Sequence, residues 1–160
     1  MTTPIRLRAE DEDDLKIVSA CLQDAIVPIG EMCFLPEDRR FVLVVNRFKW
    51  ETVGADHAAR PGPTADDDHL FPFERTHCGV RFENVTAVRT RGLDIKDRAR
   101  ILELLTLEAA GDGVELHFAG GACIRVEGAG WRCMVEDLGE PWPTACRPCH
   151  PLEGEEQSGA

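Results

Sequence analysis

Hydrophobic positions in the first part of the chain recur at helical spacing. Within residues 11–23, Leu15, Val18 and Leu22 form a stripe that Ile17 and Cys21 widen, which predicts an amphipathic helix with one buried face. The acidic run Asp11 to Asp14 falls at its start, where carboxylates meet the positive end of the helix dipole. A helix this short owes its stability to packing of that stripe rather than to propensity. The period then drops. Residues 25–35 predict a strand, with an edge or bulge at Pro28, because proline donates nothing to a ladder. Pro36-Glu37-Asp38-Arg39 predicts a turn. Residues 40–50 are the clearest strand: Phe41 to Val45, followed by the alternating Asn46-Arg47-Phe48-Lys49-Trp50. The two segments predict an antiparallel hairpin.

Further along, residues 78–82 and 85–91 predict two short strands around Glu83-Asn84. At residues 95–105 a helical stripe (Ile95, Ala99, Leu102, Leu105) competes with a strand over Ile101 to Ala109. The strand is preferred because Gly111-Asp112-Gly113 is a hairpin signal leading to Val114–Phe118, and Gly120-Gly121 a second one leading to Ala122–Glu127. Leu116 and Phe118 alternate with Glu115 and His117, so His117 is expected to face away from the core as a surface or rim histidine. Residues 131–138 predict a final short helix with Trp131, Met134, Val135 and Leu138 on one face, stopped by Gly139 and Pro141. Residues 52–76 break every pattern with Gly54, Pro61, Gly62, Pro63, Asp66 to Asp68 and Pro72, and read as a disordered acidic insertion.

The order helix, two strands, insertion, two strands, three strands, helix contains no strand–helix–strand alternation, which argues against a doubly wound parallel sheet. The expected class is α+β and mainly antiparallel: a pleckstrin-homology-like split barrel or two-sheet meander with N- and C-terminal helices. One domain is expected over residues 1–150, with residues 151–160 as a disordered tail.

Charge and cysteine content narrow the setting. The formal net charge of −11 repels phosphate backbones and anionic lipid, so neither nucleic acid nor membrane is an expected partner. Arg89, Arg91, Lys96, Arg98 and Arg100 cluster in sequence, yet Asp94 and Asp97 sit among them, which favours a solvated face over a basic patch. No apolar run is long enough to span a bilayer, and Met1 to Glu10 has no signal-like apolar segment. The seven cysteines are therefore expected as reduced thiols in a cytoplasmic protein. Cys21, Cys33, Cys78, Cys123 and Cys133 lie in element-like stretches and read as small hydrophobes.

Several segments together resemble a known family: Leu22-Gln23-Asp24-Ala25, Asn46-Arg47-Phe48-Lys49-Trp50-Glu51, Val80-Arg81-Phe82-Glu83-Asn84-Val85, Phe118-Ala119-Gly120-Gly121, Ile124-Arg125 and Asp137-Leu138-Gly139. This pattern is similar to an uncharacterised bacterial family, mostly alphaproteobacterial, called domain of unknown function 2948, over roughly residues 5–151. The resemblance implies a cytoplasmic protein with no assigned activity, cofactor or catalytic residue.

Cys146-Arg147-Pro148-Cys149-His150 matches a c-type haem attachment pattern. Haem attachment needs export, and the resemblance implies proline and histidine here without the paired cysteines. A thioredoxin-type redox pair would require a following helix to lower the thiol pKa. As a zinc knuckle, Cys146, Cys149 and His150 supply three ligands, with His77 or Cys78 as a distant fourth. Exposed thiols in a tail are the plainer reading. No nucleophile elbow and no phosphate-binding glycine loop occurs in the sequence. Asp66-Asp67-Asp68 lacks the spacing of a calcium loop.

The leading expectation is thus a non-catalytic binding or protein-interaction module without a cofactor. Arg47, Lys49, Trp50, Arg89 and Arg91 would face a protein or a small anionic ligand, since arginine and tryptophan are enriched at hot spots. The competing reading of that strand end is a sheet end whose Phe48 and Trp50 complete the core. An enzyme of unknown type, and a zinc or redox site at Cys146, Cys149 and His150, are the alternatives.

Overall fold

The computed structural model of the protein describes residues 4–53 and 73–144. The described residues form ten strands and one helix. Strand β1 is Arg6–Ala9, helix α1 Glu12–Leu22, β2 Ile26–Pro28, β3 Met32–Leu35, β4 Arg40–Phe48, β5 Phe73–Glu83, β6 Ala87–Arg91, β7 Ile101–Ala110, β8 Gly113–Phe118, β9 Cys123–Glu127 and β10 Arg132–Thr144. Every pairing is antiparallel, in the order β1-β10-β5-β4-β2-β7-β8-β9-β6, with β3 also on β4.

Helix α1 forms as its stripe predicts. Asp11 is extended, and its carboxylate accepts from the Asp14 N–H at 2.8 Å, satisfying one of the amides that a helix start leaves without a partner. Leu15, Val18 and Leu22 are buried, whereas Ile17 stays exposed. The helix lies on β7 and β1. There Ser19 accepts the Leu107 N–H at 2.9 Å, close to an irregularity in the β7–β8 register between Leu104 and Thr106. The hydroxyl thereby supplies a partner for a backbone amide near an interrupted ladder.

The strand expected over residues 25–35, with an edge or bulge at Pro28, is instead split after Pro28. Strand β2 ends at Pro28, a 3-10 turn at Ile29–Glu31 follows, and the chain resumes as β3. Strands β2 and β3 share one edge of β4, through Ile26 opposite Asn46 and Met32 to Leu35 opposite Leu43 to Arg40. Because β2 also pairs with β7, this three-residue strand links β1-β10-β5-β4 to β7-β8-β9-β6. The inward side chains of both halves form one cluster that includes Phe41, Leu43, Val80, Phe82, Leu104, Leu116, Ile124 and Val135.

Residues 95–105 contain no helix, and β7 and its two hairpins are as expected. Gly111, Gly120 and Gly121 all take positive φ at those turns, a region glycine enters without strain. Gly128 is needed for a different reason. A Cβ there would collide with the backbone carbonyl of Asn84, so only glycine lets these two turns touch.

Three further expectations are corrected. Residues 131–138 are not a helix: β10 begins at Arg132 and takes up the rest of that segment. Trp131, Cys133 and Val135 alternate inward, while Met134 and Leu138, assigned to the same helical stripe, point outward. A short apolar run cannot be classified by period alone; here Cys133 completed the two-residue repeat. Secondly, β1 and β6 are the two edge strands of an open sheet, so the described strands do not close into a barrel, and among the described residues no C-terminal helix caps them. Thirdly, the strand expected at residues 78–82 is not short: β5 runs over Phe73–Glu83, while β6, beyond Glu83-Asn84, pairs with β9. The segment read as an insertion yields residues 73–76 to β5; residues 54–72 lie outside the described residues.

Candidate functional site

The two-residue period of the strands sorts their side chains between core and surface. In β4, Phe41, Leu43 and Val45 point inward, which leaves Val42 and Val44 on the outer face. The same alternation places Gly79 and Arg81 of β5, Met134, Glu136 and Leu138 of β10, and Arg6 and Arg8 of β1 beside them. Together with Glu31 they line a groove of about 600 Å³. Its floor is apolar. Gly79 adds no side chain, and Leu138 leans over it, with a methyl carbon 3.4 Å from where a Cβ would stand. Leu138 is 41% exposed, one of the few large apolar side chains left to solvent. It is the last β10 residue paired in register with β5 before an irregularity, the pairing shifting between Leu138 and Trp142.

Charged groups rim the groove. Arg81 lies 3.0 Å from Glu83, and its Nη2 is 3.4 Å from the Met134 sulfur. Arg8 pairs with Glu10 at 2.8 Å and Arg6 lies 3.9 Å from Glu136. Such exposed pairs contribute little stability and can be exchanged for a partner's charges. A second cavity of about 510 Å³ adjoins it and brings in Asn46 and His77, the latter packed on Trp142 at 4.9 Å between ring centres. Among the described residues, neither cavity is lined by a serine, threonine, cysteine or lysine.

Arg47 belongs to the opposite side of the sheet. It is the next inward position of β4 after Val45, and it is fully buried. Its Nε and Nη2 donate to the two oxygens of Asp137, both at 2.8 Å, and its Nη1 and Nη2 donate to Glu51 at 3.0 and 2.7 Å. Asp137 also accepts the Ile5 N–H at 2.9 Å, which ties β10 to the chain just before β1. Burial opposes charge on all three groups, but the paired hydrogen bonds prevail: Arg47 is held protonated, and Asp137 and Glu51 lie below the usual carboxylate range. Lys49 is 1% exposed, and its charge further stabilises both carboxylates. Trp50 donates its indole N–H to the Gln23 carbonyl at 2.9 Å and meets Phe48 edge-on at 4.7 Å. Arg47 and Lys49 thus turn their cations inward to carboxylates of the same chain, and Phe48 and Trp50 pack against each other.

Arg89 and Arg91 are exposed on edge strand β6, at the far end of the ladder from β4. The structure therefore does not bring them together with Arg47, Lys49 and Trp50. Arg89 pairs with Glu127 at 3.0 Å. Within the neighbouring arginine cluster, Arg98 donates to the Gly30, Met32 and Ile95 carbonyls and Arg100 to that of Gly92, so these side chains fasten a loop. Cys146, Cys149 and His150 lie outside the described residues. Period-two reading of residues 132–138 was the available signal for Met134 and Leu138, and the helical assignment hid it.

The five described cysteines are free thiols. Cys78, Cys123 and Cys133 are buried, Cys21 is half-buried, and Cys33 is exposed, contrary to its reading as a buried hydrophobe. Burial, reinforced by the Asp137 charge, pushes the Cys78 thiol up to about 12; burial raises Cys133 as well. Iodoacetamide is therefore expected to modify Cys33 in the native protein, and Cys78 and Cys133 only after denaturation. Peptide mass spectrometry reads this directly, and equal labelling of the three would refute it.

No helix among the described residues is long and apolar enough to cross a membrane. No curated protein and no solved structure matches the chain. A family model described as a protein of unknown function, DUF2948, matches residues 5–150. With nearly the whole chain matched, the protein belongs to the DUF2948 family.

Proposed function

We propose that this protein is a non-catalytic binding module that takes a protein partner on the outer face of β1-β10-β5-β4. The observation that carries this reading is the groove floored by Val42, Val44, Gly79, Met134 and Leu138 and rimmed by Arg6, Arg8 and Arg81. An apolar floor supplies non-directional affinity, and exposed guanidinium groups at its edge select for acidic side chains. The fitting partner is a segment that mixes apolar and acidic residues. The lining favours binding over chemistry, because its described residues offer no nucleophile set beside a base.

The test compares capture from a lysate by the wild-type chain, Leu138→Asp, Arg81→Glu and the control Ile17→Asp. Ile17 is 59% exposed on α1, outside the groove. A partner held by wild type and control but released by both groove variants, with melting temperatures unchanged, is the expected result. Identical capture by all four proteins would sink the proposal.

A further inference from the structure

Far from the groove, the outer face of β7-β8-β9 gathers a different chemistry. His117 on β8 stands directly opposite Cys123 on β9. Glu115 lies two residues before His117, on the same face, and opposite Glu108 on β7. The His117 Nε2 is 3.2 Å from a Glu115 oxygen and 3.3 Å from a Glu108 oxygen. Ligand atoms of Glu115, His117 and Cys123 all lie within 4.8 Å of one another.

We infer that Glu108, Glu115, His117 and Cys123 form a site for a divalent transition metal of the zinc type. The argument is geometric first. Zinc bonds to nitrogen and oxygen are about 2.0–2.2 Å long, so adjacent ligands of a tetrahedron stand roughly 3.3 Å apart. The two histidine–carboxylate separations already have that length; the group within 4.8 Å of one another is Glu115, His117 and Cys123, so the thiol and the Glu108 carboxylate have to close in around the ion. The donor set comes next. Imidazole, thiolate and carboxylate together suit zinc, whereas magnesium and calcium require oxygen ligands alone. The ligands also sit on three adjacent ladder-paired strands, which hold them in place before metal arrives.

Cations face the site as well as anions. Arg125 donates to the second oxygen of Glu115 at 3.2 Å, which leaves the oxygen near His117 for the metal and orients the carboxylate. Arg91 is paired with Cys123 across β6 and β9. Two carboxylates and a thiolate offset a divalent ion, and Arg125 balances the remaining negative charge. On binding, the Cys123 thiol proton passes to solvent, and His117 keeps its proton on Nδ1. Without metal, the same arrangement is only a histidine bridged by two glutamates.

The experiment uses the full chain, stripped of metal, in the background C146S/C149S, so that the C-terminal cysteines contribute nothing. Zinc is titrated by calorimetry, and cobalt absorbance is recorded. Expected are about one zinc per chain, a melting temperature raised by zinc, and a cobalt spectrum with a thiolate charge-transfer band that Cys123→Ser removes. His117→Ala should weaken binding about tenfold or more. Glu108→Gln alters only an exposed side chain and so keeps the test valid if His117→Ala fails to fold; it should weaken binding while leaving the apo melting temperature unchanged. Absence of zinc binding in C146S/C149S, or binding indifferent to His117→Ala, Cys123→Ser and Glu108→Gln, would overturn the assignment.

Discussion

Replacing Asp137 with alanine is expected to destabilise the protein by about 3–5 kcal/mol, a drop in melting temperature of roughly 10 °C for a domain of this size. The side chains of Arg47 and Asp137 are 0% and 2% exposed. Without Asp137 the Arg47 guanidinium remains buried with Glu51 as its one other described carboxylate partner, and the Ile5 N–H loses its acceptor. A buried charge left with half of its carboxylate partners is what makes such a change severe, since the intact pair itself gains little over its desolvation cost. Arg47→Met with Asp137→Leu removes both charges together and should therefore lose less than Asp137→Ala alone. Thermal unfolding of the three proteins checks the order. Equal melting temperatures for wild type and Asp137→Ala would refute the account.

The same network sets an acid limit. Asp137 and Glu51 titrate below the usual carboxylate range in the folded protein. A depressed folded pKa contributes stability that is fully present above the unfolded value and is lost as pH falls through the folded one. The wild-type melting temperature should thus decline as pH drops below about 4, near the unfolded carboxylate values. Asp137→Ala should show a shallower decline. Arg47 stays protonated throughout and adds no slope of its own.

Phe82→Ala is expected to have an effect of similar size, about 3–5 kcal/mol, from lost burial and the cavity left behind. Phe82 is fully buried in β5, a strand flanked on both sides, with Phe41 opposite it on β4 and Cys133 opposite it on β10. Its ring lies 6.5 Å from that of Phe41. Ladder bonds on either side hold the backbone, so the sheet cannot collapse into the space. Phe82→Leu should fall between the two. Denaturant unfolding measures the series: a lower midpoint with an unchanged slope is the expected signature, and an unshifted midpoint would exclude a central packing role.

The groove and the proposed metal site share one cause. Each is an outer face of the open sheet, to which alternation delivers whatever the core does not take. On β1-β10-β5-β4 that remainder is apolar at the centre, with Val44 and Leu138. On β7-β8-β9 it is Glu108, Glu115, His117 and Arg125.

The sequence by itself determined α1, the β3–β4 hairpin, the β7–β8–β9 turns and the mainly antiparallel class. In each case a local pattern carries the information: a helical stripe capped by Asp11, or a two-residue alternation punctuated by glycine. It also determined that His117 leaves the core, because Leu116 and Phe118 beside it do not. Only the tertiary structure decided that Met134 and Leu138 lie on a strand. The helical and extended readings of residues 131–138 bury different subsets of the same apolar residues, and the ladder bonds to β5 and β1 select between them. Long-range pairing likewise took Arg47 inside. Its alternation with Phe48 and Asn46 marks a strand but does not say which face is covered, and its partner Asp137 lies ninety residues away. The approach of Glu108, Glu115, His117 and Cys123 is legible in neither period nor spacing, since it depends on the register of three strands, and register is settled by which side chains the core accepts.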